Sequence, residues 1–233
     1  MKFLTFSSSL TLSMSLLSSA SSSSSSSSVN STQTMDMFVL AYSWQPEFCY
    51  GKTNYYGCSN PTPSWNTNFT LHGLWPQYST GGYPSYCTTE AFDSSIPDKV
   101  GWNDMVTYWP NAQYATTDPN YDDFWEYEWT KHGTCAQQAQ YNYFSEAIGL
   151  IKQLGTPASV TKASGSTVSA DTVRNDFGGK TYASLQCVSG KYLSGVYTCW
   201  AQQNYVPTKQ IACPTDVQQE DTCTSSTITV TAL

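Results

Sequence analysis

Residues 124–135 read FWEYEWTKHGTC, a helix-like segment that gathers several ionisable side chains. At about 100° per residue, Glu128, Lys131 and His132 fall within an arc of roughly 100°, with Phe124 one turn earlier at its centre. The acidic start and basic end of the segment suit the helix dipole. The pattern predicts one helix face that offers a carboxylate, an ammonium and an imidazole to a common region.

The opposite side of this predicted helix is aromatic. Trp125 and Trp129 project away from the ionisable arc and are expected to face the core. Gly133 follows the basic end and is a plausible stop for the helix. The segment is therefore typical of an amphipathic helix that packs on a core and ends at a polar site.

The only other histidine, His72, lies in FTLHGLWP, residues 69–76, which reads as a strand ending at Pro76. Histidine can act as acid or base near neutral pH, and two histidines can share that work. Lysine can stabilise an oxyanion, and glutamate can orient an imidazole. Neither segment holds a strong nucleophile, so phosphoryl transfer in which an RNA 2′-hydroxyl attacks its own phosphorus fits this set.

A structural interpretation of the same residues competes with the catalytic one. A lone histidine is more often structural, and Glu128 with Lys131 could form an ordinary surface ion pair that contributes little. The tryptophans of the two segments favour core positions over ligand platforms, Trp75 included. The residues alone leave both interpretations open.

The remaining patterns mix strands and helices. Strand candidates are MFVLAYSW from Met37 and, after Cys187, KYLSGVYTCWA and YVPTKQIAC. Helix candidates are GWNDMVTYW, which Pro110 stops, and YNYFSEAIGLIKQLG. Residues 50–66 are rich in Gly, Asn, Pro and Ser and read as loop. We predict an α+β fold, with a central antiparallel β-sheet flanked by several helices and stapled by disulfides.

Charge and cysteine content limit the classes of function. A net charge of −7 argues against a protein that coats long polyanions, because each neutralised phosphate requires Lys or Arg. Eight cysteines without any C-x-x-C pair favour four disulfides in an oxidising compartment over a zinc site. No stretch has about 18 apolar residues in a row, which predicts no transmembrane helix.

The N-terminus has the features of a secretion leader. Lys2, a moderately apolar stretch and a Ser-Ser-Ala triplet at 18–20 predict a signal peptide over residues 1–20. Serine dominates the next residues and cannot form a packed core. Residues 21–36 are therefore predicted to be a flexible segment.

The folded domain is predicted over residues 37–223, followed by a short C-terminal tail, 224–233, whose role is open. Two sequons predict N-glycosylation at Asn30 and Asn68. The first lies in the flexible segment and is expected to be accessible. The second adjoins the His72 segment, where burial would compete with modification.

Both histidine segments resemble the two active-site segments of the ribonuclease T2 family, the secreted acid ribonucleases of fungi, plants and animals. FTLHGLWP matches the family pattern throughout, and FWEYEWTKHGTC matches it at all key positions except Tyr127. FVLAYSW before Cys49, WPN at 109–111 and LSGVYTC near the C-terminus also resemble family segments. The likeness spans about residues 37–223.

This resemblance implies an endoribonuclease that cleaves single-stranded RNA with low base specificity and with neither metal nor cofactor. His132 would be the general base for the 2′-hydroxyl, and His72 the general acid for the leaving 5′-oxygen. Glu128 and Lys131 would stabilise the phosphorane. The product would be a 2′,3′-cyclic phosphate, slowly hydrolysed to a 3′-phosphate. Which histidine is acid and which is base stays open.

Tyr127 stands where most family members carry a third histidine that helps to bind phosphate. Tyrosine can donate a hydrogen bond but adds no positive charge, so we expect weaker phosphate binding with the chemistry retained. Gln77, just after Pro76, occupies a position that is often acidic in the family, which leaves base preference open. The resemblance also implies base-binding positions, at Trp75, Tyr83, Asn111 and Phe124.

The family likeness further implies four disulfides, Cys49–Cys58, Cys87–Cys135, Cys187–Cys223 and Cys199–Cys213. The second of these would tie the two histidine segments together. Closing its loop of roughly 50 residues could stabilise the fold by about 4 kcal/mol on the chain-entropy model.

Acidic residues gather around the start of the second segment, at Asp118, Asp122, Asp123, Glu126 and Glu128. They suit a solvated helix start, and they are also expected to raise the pKa of His132 and to repel RNA unless partly protonated. On this basis we predict a bell-shaped rate profile with an optimum at roughly pH 4.5 to 6.

Two other functions compete with that of a ribonuclease. A non-catalytic relative would serve storage, defence or recognition, and a secreted carbohydrate-binding module would use the many Trp and Tyr residues. The complete set of two histidines, Glu128 and Lys131 argues against both. As a ribonuclease, the protein is expected to be a monomer that acts on single-stranded RNA and on neither DNA nor membranes. It would work outside the cell, or in a lysosome or vacuole reached by the secretory pathway.

Overall fold

The computed structural model of the protein describes residues 34–233. The predicted signal peptide, residues 21–33 of the serine-rich segment and the sequon at Asn30 lie outside this range. No helix within the described residues is long and apolar enough to cross a membrane.

The described part of the chain contains seven strands in one sheet: β1 (Met37–Ser43), β2 (Thr70–Gln77), β3 (Ser166–Ser169), β4 (Ala183–Val188), β5 (Tyr192–Gln203), β6 (Val206–Ile211) and β7 (Thr227–Val230). β1 lies between β2 and β5 and pairs antiparallel with both. β4 and β6 also pair antiparallel with β5. Only a short contact between β5 and β7 is parallel among the described strand pairings, so the predicted antiparallel sheet is confirmed.

Nine helices within residues 34–233 accompany this sheet: α1 (Gln45–Cys49), α2 (Tyr56–Ser59), α3 (Ile96–Val100), α4 (Trp102–Tyr108), α5 (Asp123–Lys131), α6 (Gln140–Leu154), α7 (Ala158–Ala163), α8 (Ala170–Asp176) and α9 (Thr215–Gln219). The predicted helices at α4, α5 and α6 are present. The segment 50–66, expected to be loop, contains α2 and a 3-10 turn over Pro63–Asn66. The α+β class is confirmed.

β1 is buried on both faces, which explains its nearly continuous apolar sequence. Phe38 and Leu40 belong to the main core. Met37 and Val39 point the other way, into a smaller cluster that Val217 of α9 completes. The sheet therefore has a large core on one face and a thin cover, made partly by α9, on the other.

The main core is unusually aromatic and holds α5 in place. Trp125 and Trp129 of α5 are 0% and 1% exposed, as the helical pattern predicts. Trp109 follows α4 and packs its ring on Phe144 of α6, with ring centroids 5.2 Å apart. The indole N–H of Trp125 donates to the Trp109 carbonyl over 2.7 Å. These contacts fix the helix that carries half of the predicted site.

The four disulfides of the described residues are Cys49–Cys58, Cys87–Cys135, Cys187–Cys223 and Cys199–Cys213, the pairing that the family likeness implies. Cys87–Cys135 joins the loop after β2 to the turn that follows α5. Cys49–Cys58 joins α1 to α2, and the other two link β4 and β5 to the segment around α9.

The last ten residues are not a separate tail. β7 forms within them, pairs with β3, and buries Ile228 and Val230 completely. The indole N–H of Trp44 also donates to the Thr231 carbonyl over 2.7 Å. The short alternation TITV is a strand pattern whose length is too small to stand out in the sequence. The packed fold thus extends past residue 223.

Replacing Ile228 by Ala should lower the free energy of unfolding by about 2–5 kcal/mol, because a fully buried side chain is removed from the core. Thr227→Ala, at the exposed neighbouring position, should change it by no more than about 0.5 kcal/mol. Urea unfolding of both variants measures the difference. Equal small effects would mean that the last strand does not contribute to the folded core.

Candidate active site

His72 enters the site from β2, where it is one of two partly exposed residues in an otherwise buried strand. Its backbone carbonyl accepts a hydrogen bond of 2.9 Å from the Trp109 indole. The Tyr143 hydroxyl donates to the carbonyl of Leu74 over 2.7 Å. Two buried aromatic side chains thus hold the strand at His72 and two residues beyond it.

α5 carries the ionisable residues on the face that their helical spacing in the sequence predicts. Glu128 is completely buried beneath the site, whereas Lys131 is half-buried at its edge. His132 caps the helix, with its backbone N–H bonded to the Glu128 carbonyl over 3.0 Å. Gly133 starts a 3-10 turn ending at Cys135, instead of terminating the helix by itself.

Trp75 connects the two histidine segments. Its indole N–H donates to Oε2 of Glu128 over 2.8 Å. Its ring stacks on His132, with centroids 5.2 Å apart and planes inclined by 26°, and meets His72 edge-on at 5.2 Å. Trp75 is half-buried and lies within the site, so the alternative of a purely core position does not hold.

Both glycines that follow the histidines are required by close packing. A Cβ on Gly73 would stand 2.2 Å from Oε2 of Glu128 and 2.2 Å from Nε1 of Trp75. A Cβ on Gly133 would stand 2.3 Å from the Trp129 ring. The repeated His-Gly pair therefore reflects steric room beside each histidine.

Burial raises the pKa of Glu128 to about 8, against the opposing effects of the Trp75 hydrogen bond and of Lys131. Its Oε1 lies 3.7 Å from Nε2 of His72. Glu128 therefore holds a proton through the acidic and neutral range, and the buried carboxyl is uncharged there.

Both imidazoles resist protonation in the free protein. Burial and the charge of Lys131 lower the pKa of His72 to about 4, although 43% of its side-chain surface remains open. Burial, Lys131 and His72 lower the pKa of His132 to about 3. The expected rise in the His132 pKa is therefore wrong, because desolvation of this 5% exposed ring outweighs the acidic residues near α5.

Two cavities meet at His72. The first, of about 310 Å³ and named here the Trp75 cavity, is lined by Val39, His72, Trp75, Gln77, Tyr83, Tyr127, Glu128, Lys131, His132, Val217 and Glu220. The second, of about 330 Å³ and named the Phe124 cavity, is lined by Ser43, Gln45, Phe48, Tyr55, Leu71, His72, Pro110, Asn111, Ala112, Gln113, Tyr114, Asp123 and Phe124. All four predicted catalytic residues line the first cavity.

The four residues implied as base-binding divide between these cavities. Trp75 and Tyr83 line the first, and the Tyr83 ring lies 6.0 Å from that of His132. Asn111 and Phe124 line the second, and Phe124 lies 5.8 Å from His72. The Asn111 amide already donates to the Tyr121 carbonyl and accepts from the Gln113 N–H, both over 3.0 Å. Asn111 therefore also holds the wall of the Phe124 cavity in place.

Tyr127 is 46% exposed at the rim of the Trp75 cavity. Lys131 Nζ donates to its hydroxyl oxygen over 3.0 Å. Because that oxygen accepts from Lys131, the tyrosine's own O–H proton is free to be donated elsewhere. Tyr127 thus orients the ammonium and adds a neutral donor beside it.

Several wall residues carry no signal in the sequence motifs. Val217 and Glu220 come from α9 and the residue after it, more than 80 residues beyond the second segment, which ends at Cys135. Gln113 and Tyr114 of the second cavity lie in a loop. Only the folded chain brings them to the site. The sequon residue Asn68 is exposed, at the surface before β2.

The model of the Ribonuclease T2 family matches residues 35–213. The chain belongs to the Ribonuclease T2 family. Ribonuclease 1 of Arabidopsis thaliana is 34% identical over 155 residues, which cover 62% of this chain and 64% of that protein. Extracellular ribonuclease LE of Solanum lycopersicum is 34% identical over 53% of this chain and 54% of its own. The match therefore spans between half and two thirds of these relatives.

A solved structure of an RNase MC1 mutant in complex with 5′-GMP resembles this fold over 84% of this chain and all of its own, with a TM-score of 0.65 and 27% identity. The family match stops at Cys213, so α9 and β7 lie beyond it. The T2 family model thus covers both histidine segments. It does not cover Val217 and Glu220, which line the Trp75 cavity.

The raised pKa of Glu128 predicts a specific dependence of stability on pH. The folded state binds this proton more tightly than the unfolded chain, so the stabilisation is complete at low pH and is lost as pH rises through about 8. The lowered pKa values of His72 and His132 affect stability only below about pH 6.5. Between pH 6.5 and 8 the free energy of unfolding should fall by about 1.5 kcal/mol.

Urea unfolding at both pH values tests this, with Glu128→Gln as the matched control. The glutamine variant has no proton to lose at this position, so its decline should be smaller by that amount. Parallel declines in the two proteins would contradict a protonated Glu128 in the folded state.

Proposed function

We propose that this protein is a secreted endoribonuclease that cleaves single-stranded RNA by transphosphorylation. The observation that carries the proposal is the meeting of two imidazoles, a buried carboxyl group and an ammonium around one cavity, with a second cavity sharing His72. Acid, base and charge stabilisation are all that an internal 2′-hydroxyl nucleophile requires. Membership of the family and the nucleotide-bound relative support the same substrate class.

The arrangement of the cavities supports an assignment of roles. His132 lines only the Trp75 cavity, whereas His72 lines both. With the nucleotide that carries the 2′-hydroxyl in the first cavity and the next nucleotide in the second, the scissile phosphate lies between the histidines. His132 then accepts the 2′-hydroxyl proton, and His72 donates a proton to the departing 5′-oxygen.

Glu128 and Lys131 stabilise the phosphorane. Since Glu128 is protonated in the acidic range, it adds no negative charge beside the phosphate and can donate a hydrogen bond to a phosphoryl oxygen. Lys131, three residues further along the same helix, supplies positive charge in the same cavity. The first product is a 2′,3′-cyclic phosphate, which water then opens slowly to a 3′-phosphate.

An acidic optimum follows from the two lowered histidine pKa values. Catalysis needs His132 neutral and His72 protonated, a combination that the free protein reaches near pH 3 to 4. A bound phosphate anion favours the charged imidazoles and raises both pKa values. The optimum is therefore placed at roughly pH 4.5 to 6, with burial instead of the acidic cluster as its origin.

The remaining features of the proposal concern scope and location. The 2′-hydroxyl requirement excludes DNA as a substrate, and the chemistry assigns no step to a metal or cofactor. The net charge of −7 limits contact to a few phosphates. Four disulfides favour secretion or delivery through the secretory pathway, with residues 1–20 as the signal peptide, and we propose that the protein acts as a monomer.

The decisive test is cleavage of single-stranded RNA at pH 5 in EDTA. The wild type should release 2′,3′-cyclic phosphates, and His72→Ala and His132→Ala should each lower kcat by at least about 100-fold, because each removes one proton-transfer group. Glu126→Gln, an exposed carboxyl outside the cavity, serves as the control and should retain full activity.

Absence of cleavage by the wild type would favour a storage, defence or carbohydrate-binding protein. Loss of activity in EDTA would refute the metal-free reaction. Either histidine variant with wild-type kcat would remove that residue from the mechanism.

Tyr127→Phe tests the role of the tyrosine in phosphate binding. Removing the hydroxyl frees Lys131 and deletes one donor, so KM should rise several-fold, corresponding to about 1 kcal/mol, with kcat nearly unchanged. Steady-state kinetics on a dinucleotide substrate separates the two constants. An unchanged KM would show that the tyrosine only fills space.

A further inference from the structure

One wall of the Trp75 cavity is built by the segment around α9. This segment begins where the family match ends, at Cys213, and contributes Val217 and Glu220 to the cavity. Glu220 is thus the carboxylate residue that reaches the cavity from outside the two histidine segments. Glu220 is therefore placed where its side chain can contact a ligand in the cavity.

Covalent and ionic links hold this wall rigidly. Disulfides Cys199–Cys213 and Cys187–Cys223 anchor its two ends to β5 and β4. The Arg174 guanidinium binds the Asp221 carboxylate through Nε and a second nitrogen, both over 2.9 Å. Asp216 accepts the Gly82 N–H over 2.7 Å, which joins the wall to the loop that carries Tyr83. A side chain on such a segment is preorganised for recognition.

The Glu220 carboxylate is free for a ligand. Its backbone carbonyl accepts from the Gln186 amide over 2.9 Å, but no group among the described residues hydrogen-bonds its side-chain oxygens. The side chain is exposed at the cavity. Lys131 is the only lysine or arginine among the described residues that line the cavity, and it is paired with Tyr127.

Gln77 provides a complementary polar group in the same cavity. It ends β2, is 5% exposed, and presents an amide that can donate and accept. A carboxylate supplies two acceptor oxygens, and an amide supplies an NH₂ donor group beside an acceptor oxygen. Among the four RNA bases, only guanine offers two adjacent donors, N1–H and N2–H₂, next to an acceptor, O6.

We propose that Glu220 and Gln77 read the Watson–Crick edge of guanine in the nucleotide that supplies the 2′-hydroxyl. The inference rests on the proposed function of the cavity. Glu220 accepts from N1–H and N2–H₂, and Gln77 donates to O6. Trp75 and Tyr83 line the same cavity and can contact the base face. In this proposal the carboxylate that contacts the base belongs to Glu220 on the C-terminal wall. Position 77, which is often acidic in the family, supplies an amide.

The test compares kcat/KM for cleavage of the dinucleotides GpU, ApU, CpU and UpU by wild type and by Glu220→Gln. Wild type should cleave GpU best. Glu220→Gln should lower kcat/KM for GpU about tenfold, as expected for loss of a bidentate contact to a base, and change the other three less than twofold. Glu126→Gln, the exposed control on α5, should keep the wild-type preference.

The outcomes separate the two proposals. A wild type that cleaves none of the four overturns the ribonuclease itself. A wild type that cleaves them without preferring GpU overturns guanine recognition, whether or not the variant folds. A uniform loss over all four substrates in Glu220→Gln, with an unchanged far-ultraviolet spectrum and Tm, would assign Glu220 a general electrostatic role and also overturn it.

Discussion

The buried Glu128 carboxyl and its hydrogen bond to the Trp75 indole form the contact on which the site depends. The contact exists because Gly73 lacks a side chain at the point where strand β2 and helix α5 come together. It brings Trp75 under the ring of His132 and leaves the second Glu128 oxygen toward His72. One interaction thus positions groups from two distant segments.

Burial determines the chemistry of these groups more than neighbouring charge does. The same desolvation that keeps Glu128 protonated keeps both imidazoles neutral until the pH is low. The cavity therefore carries little charge of its own apart from Lys131 and Glu220 at its edges. An anionic substrate that enters the cavity adds negative charge beside the imidazoles. This charge raises their pKa values and allows them to bind protons.

The sequence predicts the parts of this molecule that depend on local pattern. The strands β1 and β2, the helices α4 to α6 and the placement of Trp125 and Trp129 in the core follow from apolar periodicity. The α9 wall and β7 cannot be predicted in this way, because their segments are short and their structure depends on contacts with residues far away in the sequence. The His132 pKa is lowered and not raised, because burial of the ring outweighs the acidic residues that are near it in the sequence, and burial is not visible in that proximity.

The position of β1 in the middle of the sheet governs how the chain can assemble. Met37 pairs with Ala201, about 160 residues later, so this strand of apolar residues has no partner on one edge until β5 has been synthesised. Until then the strand MFVLAYS presents an unpaired, aggregation-prone edge. The Cys199–Cys213 disulfide, which starts in β5, can close only after that strand and Cys213 have been made, so it forms late in the assembly of the sheet.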